Sequence, residues 1–431
     1  MKLKLVGLLV VAVIMAIGSF FAEAKVIHVP ADYPTIQAGI DAAVAGDQVV
    51  VAAGTYTGTG NKNLDFKGRA ITVESENGAE KCVIDCENKG RGFYFHSDET
   101  NTSVISGFTI RNGYASGNWP DNNGGGVYCE NSSPTVTNVI ITRNTAVNDG
   151  GGVYCSYSSP TLTNVIFTEN LADYGAAIFC DNSFLALVNN VIVRNMASYR
   201  GGGIFCHYSS PMLINTTVAE NIATTDGGGI FCHNNSSPVV INTILWEDTP
   251  QEVCFNGEWA PNSITISYSD IRGGLAGIIT NDNGVVNWGP GNIDADPLFV
   301  NPDNSDYHLQ FGSPCIDAGT PIGAPVDDIE GNPRDEFPDM GAYEYQAVST
   351  GSITGTVTDT AGNPIKGALV IAILGETKIK ASTDSNGYYQ ILDLEPGVYL
   401  ALCVKKGYKP GIKKAEVIAG QNTEVNFKLK Q

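Results

Sequence analysis

The sequence Gly-Gly-Gly-Val-Tyr-Cys at 124–129 decides the fold, because near-copies of it end at Cys155, Cys180, Cys206 and Cys232. The five cysteines follow one another at intervals of 26, 25, 26 and 26 residues. A fixed period of this length is typical of a solenoid, in which each unit buries its apolar face only by stacking on the next.

Each repeat predicts strands rather than a helix. Its short runs, such as Thr135 to Thr142, are rich in β-branched residues and are bounded by Gly, Pro, Ser and Asn. No repeat contains a long stretch with helical apolar spacing. The sequence therefore predicts one coil of a parallel β-helix per repeat, with coils stacked about 4.8 Å apart.

Two asparagine columns share the period of the cysteines. We expect the stacked amides to hydrogen-bond along the axis and to satisfy the backbone of the turns. The first column is Asn138, Asn164, Asn189, Asn215 and Asn242, and the second is Asn144, Asn170, Asn195 and Asn221 with Asp248 in fifth place.

The first 24 residues predict a secretory signal. Lys2 and Lys4 precede an apolar run from Leu5 to Phe21, and Ala22-Glu23-Ala24 supplies small residues for cleavage. An uncleaved membrane anchor is the alternative, although the run is short for a span. The protein is then expected to be secreted or to lie at a bacterial cell surface, with no transmembrane segment after cleavage.

Export would expose the ten cysteines to an oxidising space. Stacked coils keep ladder Cβ atoms about 4.8 Å apart, which is longer than the roughly 3.5 to 4.5 Å of a disulfide. We therefore interpret the five repeat cysteines as small buried apolar residues. Isolated pairs between coils remain open for Cys82, Cys86, Cys254, Cys315 and Cys403.

The net charge of −20 is carried by the repeat-containing part of the chain. From residue 349 onward there are 10 basic and 7 acidic residues, so that part is slightly basic. An acidic body repels nucleic acid, which we exclude as a partner. It also disfavours a purely electrostatic grip on an acidic polysaccharide unless metal ions mediate it.

The residues before the repeats predict a cap. Thr35 to Ala43 forms a short amphipathic pattern, and an apolar strand from Gln48 to Ala53 leads to Gly54-Thr55-Tyr56. With Val104 to Asn112, this run resembles the pectin-lyase-like superfamily. The resemblance implies a right-handed parallel β-helix over 25–346, with regular coils at about 122–248. It implies little about chemistry, since that superfamily holds lyases, hydrolases, esterases, epimerases and non-catalytic adhesins.

Two further resemblances concern the cell surface and the C-terminal part. The coil phrases and the series from Ser267 to Tyr345 are similar to bacterial cell-surface β-helix proteins. After a linker at 347–350, residues 351–431 alternate strands and turns, which predicts a small antiparallel β-sandwich of the transthyretin-like or Ig-like kind. Its turns resemble the carboxypeptidase regulatory-like domain, which implies a spacer or attachment module.

Alternation along the repeated strand separates two faces. Val127 and Cys129 point inward, whereas Tyr128 and Glu130 point outward. We expect an exposed aromatic column that binds sugars together with Glu130. Two alternatives stay open: a loop covers the rings, or they stack on each other only for stability. The column is Tyr128, Tyr154, Phe179, Phe205 and Phe231.

The candidate catalytic residues are Asp181, Arg200, His207 and His233. The two histidines and Asp181 follow one another at coil spacing, as an acid–base pair or metal site would need, although ladder side chains point in parallel. Asp149, Asp173, Arg200 and Asp226 stand before the glycines and form either a solvated turn or an acidic groove. The glycine triplets recur at coil period and permit a turn, so they are not phosphate loops.

Motifs of the pectin enzymes are absent from the sequence, including the Arg-x-Pro-x-x-Arg of pectate lyases. The first hypothesis is therefore a secreted or cell-surface protein that binds a polysaccharide or cell-surface glycan, adhesin-like and without catalysis. A lyase or glycoside hydrolase acting on uronic-acid polymers is the alternative, and a purely structural surface component is the third. No cofactor is required, and calcium remains a candidate ligand of the acidic closing segment.

Overall fold

The computed structural model describes residues 24–346, 350–375 and 377–431. It divides into two compact units, which adjoin in sequence between Tyr345 and Gln346. The predicted fold class is confirmed: both units are built of strands, and the first is a parallel β-helix. Nearly all of the predicted signal segment, and most of the predicted linker, lie outside the described residues.

Each regular coil contributes strands to three parallel sheets. The cysteine sheet contains the repeated Val-Tyr-Cys or Ile-Phe-Cys run, and the small sheet contains the strand that precedes the glycines. The strands of the cysteine sheet are Phe93–Phe95, Val127–Glu130, Val153–Ser156, Ile178–Asp181, Ile204–His207, Ile230–His233 and Val253–Phe255. Those of the small sheet are Tyr114–Ala115, Thr145–Ala146, Leu171–Tyr174, Met196–Arg200 and Ile222–Ala223.

The large sheet runs the whole length of the β-helix and receives one or two strands from each coil. Its strands are Val26–Val29, Gln48–Val51, Gly54–Tyr56, Thr72–Ser75, Cys82–Asp85, Val104–Ser106, Thr109–Arg111, Thr135–Thr142, Thr161–Thr168, Ala186–Val188, Val191–Val193, Met212–Ile214, Thr217–Ala219, Val239–Ile241, Ile244–Trp246, Asn262–Ser267, Asp270–Ile271 and Gly284–Trp288.

The predicted cap is an α-helix at Ile36–Ala42. Thr35 caps its first turn by accepting a hydrogen bond from the Ala38 backbone nitrogen at 3.2 Å. Ile36 and Ile40 are fully buried against the first coils. The helix therefore closes the apolar interior at the N-terminal end of the solenoid.

In the cysteine sheet, strands of neighbouring coils pair without a shift. Val127 pairs with Val153, and Cys129 pairs with Cys155 in the same register. Equivalent residues consequently stack, as the repeat period predicts. The first glycine of each triplet has a left-handed backbone, with φ of 66° at Gly150, so this column requires glycine for its conformation.

The second asparagine column forms a buried hydrogen-bonded ladder, which confirms the predicted stacking of amides. Nδ2 of Asn170 donates to Oδ1 of Asn195 at 2.9 Å, and Nδ2 of Asn195 donates to Oδ1 of Asn221 at 2.9 Å. Asn221 ends the row by donating to Oδ1 of Asp248 at 2.8 Å. Each amide also donates to a backbone carbonyl, so the ladder satisfies the turn that it follows.

The closing segment from about residue 298 to Tyr345 folds back over the first asparagine column. It begins with an antiparallel hairpin, Phe299–Asn301 and Asp306–Leu309, with 3-10 turns at Gly274–Gly277 and Pro302–Asn304 nearby in sequence. The side-chain amides of Asn189, Asn215 and Asn242 donate to backbone carbonyls of this segment at 2.7 to 2.9 Å. The segment thus covers one outer face of the coils.

The second unit packs two small sheets around one apolar cluster. Gly351–Asp359 pairs antiparallel with Tyr388–Leu394 but parallel with the two last strands, so this sheet is mixed. The first sheet is Tyr388–Leu394, Gly351–Asp359, Asn422–Glu424 and Phe427–Leu429, and the second is Thr377–Ser382, Leu369–Leu374, Gly397–Val404 and Gly411–Val417. Within 24–346, 350–375 and 377–431, no helix is both long and apolar enough to cross a bilayer.

Candidate functional site

The inward face of the cysteine sheet is a ladder of thiols. All ten cysteines of the chain are buried and free, which confirms the interpretation of the repeat cysteines as small apolar residues. The ladder ends against phenylalanine on both sides, because Phe95 pairs with Cys129 and Phe255 pairs with Cys232. Burial raises the pKa of the Cys180 thiol well above its usual range.

The outward face of the same strands carries the aromatic ladder, which we define as Tyr128, Tyr154, Phe179, Phe205 and Phe231. The five side chains point away from the solenoid interior, as alternation predicts, and form a separate cluster. The expectation that they are exposed is wrong, since their exposed fractions lie between 0 and 8%. Alternation fixes the direction of a side chain, whereas exposure depends on which residues stand beside it.

The rings also face each other rather than the solvent. Phe179 and Phe205 stack with centroids 5.0 Å apart and an interplanar angle of 14°. Because the rings stack along the helix axis, they present their edges outward. The ladder therefore offers no flat aromatic platform to a sugar.

Residues on either side of the ladder cover most of it. At the N-terminal end the Arg91 guanidinium lies over the rings of Tyr94 and Tyr128, at 5.0 and 4.9 Å from their centroids. Towards the other end, Tyr174 packs edge-on against Phe205 at 5.5 Å, and Arg200 lies over Phe231 at 5.1 Å. These contacts bury most of the ladder and leave one gap, beside Phe179 and Phe205.

The residues after the cysteines form one wall, the polar column Glu130, Ser156, Asp181, His207 and His233. Nδ1 of His207 lies 2.8 Å from Oδ1 of Asp181, and Ser156 Oγ donates to the other oxygen of Asp181 at 3.2 Å. The rings of His207 and His233 are 5.0 Å apart. Glu130 accepts a hydrogen bond from the Tyr128 hydroxyl at 3.2 Å.

The residues before the glycines form the opposite wall, the turn column Asp149, Tyr174, Arg200 and Asp226. The structure pairs Asp149 with Tyr174 and Tyr174 with Arg200, so Tyr174, and not Asp173, occupies the third-coil position. The strand pairing shifts between Ala172 and Tyr174. The signal for Tyr174 was present in the sequence, because Tyr174 directly precedes Gly175.

Between the two walls lies a cavity of about 270 Å³, which we call the ladder cavity. It brings together three of the four candidate catalytic residues, and the fourth, Asp181, stands behind His207. Asp181, His207 and His233 stand in one column, as expected, and Arg200 faces the two histidines from the opposite wall. The lining residues are Asp149, Tyr174, Phe179, Arg200, Phe205, His207 and His233.

Four residues predicted to bind ligand do not line this cavity. Tyr128, Tyr154 and Glu130 lie on the N-terminal side of Phe179, and Phe231 lies under the Arg200 guanidinium. Arg200 itself is held by Asp226, with Nε 3.1 Å from Oδ2. The arginine therefore supplies a fixed positive charge at one end of the cavity.

Two ionisable groups in the cavity have displaced pKa values. Burial, with repulsion from Asp181, raises the pKa of Asp149 to about 7. Burial, with the neighbouring His207 and Arg200, lowers the pKa of His233 to about 4. At neutral pH the His233 ring is therefore neutral.

The described part of the chain contains no group of three His, Cys, Asp or Glu side chains arranged to hold a metal ion. The aspartates of the closing segment accept hydrogen bonds from its own backbone. Asp328 Oδ1 accepts from the nitrogens of Glu330 and Asn332, and Asp339 Oδ1 accepts from the nitrogen of Asp317. These carboxylates therefore stabilise the turns of the closing segment.

A second cavity of about 300 Å³ lies between the coils and the closing segment. Its walls include Glu220, Trp246, Phe299 and Tyr307. Glu220 is already paired with Arg194 at 2.7 Å and accepts a hydrogen bond from the Tyr307 hydroxyl at 3.1 Å. This cavity therefore lies within the contact between the closing segment and the coils, and Glu220 in its wall already has partners.

Comparison with known proteins agrees with this architecture. Residues 106–245 match the model of the right handed beta helix region, and residues 352–430 match the carboxypeptidase regulatory-like domain. A curated relative, structural protein 27 of a virus (isolate Australia/Victoria), is 40% identical over 82 residues. That match covers 19% of this chain and 15% of the viral protein.

Two solved structures are similar to parts of the chain. The crystal structure of pectate lyase Pel9A is 15% identical and has a TM-score of 0.45, with 75% of this chain and 97% of that chain covered. The Bacillus anthracis TIE protein is 23% identical over 19% of this chain and 17% of its own, with a TM-score of 0.18. By its two family matches and its sheet topology, the chain consists of a right-handed parallel β-helix followed by a carboxypeptidase regulatory-like domain.

Proposed function

We propose that this protein is exported, stays associated with a cell surface, and binds a glycan in the ladder cavity without catalysis. The observation that carries the proposal is the lining of that cavity. Aromatic side chains stand there beside a carboxyl group, a guanidinium and two imidazoles. The carboxypeptidase regulatory-like domain then acts as a spacer or attachment module.

The cavity suits sugar chemistry in two respects. The edges of Phe179 and Phe205, with Tyr174, supply van der Waals contact for a sugar ring. Asp149 accepts hydrogen bonds from hydroxyl groups when ionised, and Arg200 donates them. A few fixed polar groups within a mainly apolar pocket are the usual design of a small-ligand site.

The charge of the site favours a neutral glycan. Arg200 is paired with Asp226, Asp149 lines the cavity, Asp181 stands behind His207, and the whole chain has a net charge of −20. A uronic-acid polymer would approach against this field. We therefore expect galactomannan, xylan or β-glucan to bind more tightly than polygalacturonate or alginate.

The test is retention of the purified protein on these five polysaccharides, measured by co-sedimentation. Tyr174→Ala and Arg200→Ala should lose retention, because both side chains line the cavity. Tyr157→Ala and Arg143→Ala are the matched controls, since both residues are exposed and lie outside it. Equal retention of all four variants and the wild type would exclude the ladder cavity as the binding site.

A polysaccharide-degrading enzyme is the second candidate. The observation that favours it is the pairing of His207 with Asp181 in a cavity that also contains Asp149, whose pKa is about 7. Groups that titrate near neutrality are suited to general acid–base catalysis. Absorbance of unsaturated ends and release of reducing ends, measured on the same panel with and without calcium, would identify it. If the protein neither binds nor degrades any of these polysaccharides, the remaining interpretation is a structural surface component.

A further inference from the structure

The ladder cavity is short, although the aromatic ladder beneath it spans five coils. On the N-terminal side of the cavity the ladder is buried, because Tyr154 is 4% exposed and Arg91 lies over Tyr94 and Tyr128. Arg91 is itself only 7% exposed. Its Nε donates to the Asn123 carbonyl at 3.0 Å, and Nη2 donates to the Pro120 carbonyl at 2.8 Å. The N-terminal rings of the ladder are therefore covered by a side chain that is held by two backbone carbonyls, and the cavity does not extend over them.

The opposite end is closed by Arg200. Its guanidinium lies 5.1 Å over the Phe231 ring, and its Nε donates to Asp226 in the next coil. The guanidinium is held in position by a cation–π interaction with the ring and by a charge-assisted hydrogen bond to the carboxylate. Of the five rings of the aromatic ladder, Phe179 and Phe205 line the cavity.

The side walls are also held in position. Tyr174 packs edge-on against Phe205 and stacks on Tyr199 at 5.4 Å with an angle of 15°. On the other side, His207 is held by Asp181 at 2.8 Å and by Asn234 at 3.1 Å. The cavity is thus a preorganised pocket rather than a trough along the helix axis.

Its size matches this shape. The volume of about 270 Å³ falls just below the range of roughly 300 to 1,000 Å³ that is usual for drug-sized ligands. One pyranose ring fits such a volume, whereas a chain running along the coils would have to pass over the buried Tyr154 on one side and displace Arg200 on the other.

From this geometry we infer that the pocket recognises a single terminal or branching pyranose residue of a neutral glycan, and not an internal stretch of polysaccharide. The inference rests on the proposed function of the same cavity. The sugar enters from outside the coil, with its ring in van der Waals contact with Tyr174 and the ring edges of Phe179 and Phe205. Its hydroxyl groups bond to Asp149 and Arg200.

The experiment measures how binding depends on the length of the sugar. Retention of the full chain on galactomannan, xylan and β-glucan is competed with methyl glycosides of galactose, mannose, xylose and glucose, and with the corresponding linear hexasaccharides. We expect the effective methyl glycoside to compete within about threefold of the hexasaccharide, since further residues gain no contact.

Hexasaccharides that compete more than about tenfold better than any methyl glycoside would overturn the inference while leaving glycan binding intact. Failure of every polysaccharide to retain the protein would instead remove the proposed function and the inference together. Tyr174→Ala should weaken the monomer and the hexasaccharide by the same factor, and Tyr157→Ala should weaken neither. A Tyr174→Ala variant that loses only the hexasaccharide would show contacts beyond one sugar residue and overturn the inference.

Discussion

His207 and Asp181 occupy equivalent positions in consecutive coils, and Nδ1 of His207 lies 2.8 Å from Oδ1 of Asp181. In a parallel ladder, equivalent positions usually hold the same or similar residue types, but here a carboxyl group and an imidazole are neighbours. Their hydrogen bond holds the histidine at the edge of the ladder cavity. Asp181 therefore orients the His207 ring, which lines the cavity, from the preceding position of the same column.

Removal of this carboxylate should destabilise the protein. Asp181→Ala leaves His207 Nδ1 and Ser156 Oγ without their acceptor, at an expected cost of about 1 to 2 kcal/mol. Asp181→Asn keeps an oxygen acceptor and should cost less. Urea unfolding measures both, and equal losses in the two variants would show that the hydrogen bonds are not the cause.

The buried amide ladder predicts a larger effect. Asn195 accepts from the backbone and side-chain nitrogens of Asn170 and donates to Phe167 O and Asn221 Oδ1. Asn195→Ala orphans several buried groups at once, so we expect a loss of at least about 3 kcal/mol. The exposed Asn101→Ala is the control, and a similar result for both would contradict the structural role of the ladder.

Glu252, whose Oε2 accepts a hydrogen bond from the backbone nitrogen of Asp248 at the end of that ladder, predicts a pH dependence. Burial, with the neighbouring Asp248, raises the pKa of Glu252 far above its usual 4.5. Above pH 4.5 the folded protein keeps a proton that the unfolded chain releases, so this contribution to stability falls as pH rises. Glu252→Gln stays neutral, and its melting temperature should exceed that of the wild type at about pH 9 but not at about pH 5.

Asp248 shares this behaviour, because burial raises its pKa to about 7. Glu252→Gln should therefore reduce the slope of stability against pH without abolishing it. The exposed Glu258→Gln is the control and should leave the slope unchanged. A slope equal to that of the wild type in Glu252→Gln would mean that Glu252 is ionised in the folded protein.

The free cysteines predict a simple chemical result. All ten are buried, so iodoacetamide should label none of them in the native protein. After denaturation without a reducing agent, mass spectrometry should find ten adducts on the chain. Prior reduction is the control, and a gain of labels after reduction would reveal a disulfide.

The closing segment is expected to depend on one buried ion pair. Arg334 Nη1 lies 2.8 Å from Glu344 Oε2, and Nη2 donates to Asn189 Oδ1 at 3.1 Å. Arg334→Ala removes the charged partner of a buried carboxylate, so we expect a loss of about 3 to 5 kcal/mol and faster proteolysis of the segment. Arg143→Ala breaks an exposed pair with Glu169 and should cost less than about 1 kcal/mol.

The repeat itself was predictable because it is a local property of the sequence. In-register parallel pairing forces equivalent residues into columns, so the spacing of the cysteines predicts both the coil and the ladder. The second asparagine column followed from the same period. The position before the glycines in the third repeat belongs to Tyr174 rather than to Asp173, since Tyr174 directly precedes Gly175 and stands six residues before its cysteine, as Asp149 and Arg200 do.

The exposure of the aromatic ladder was not predictable in this way. Arg91 comes from an earlier, irregular coil, and Tyr174 and Arg200 come from the turn on the other side of the strand. Their approach depends on how the coils stack and turn. No spacing within a single repeat contains that information.

The sequence by itself determined the β-helix, the direction of its side chains, the ladders and the C-terminal β-sandwich, because periodicity and alternation act between neighbours in the chain or in the stack. Only the tertiary structure decided which outward residues are buried, that the candidate residues converge on one pocket, and that the closing segment returns across Asn189, Asn215 and Asn242. The physical reason is that burial and convergence depend on packing between segments far apart in sequence, which no repeat specifies alone.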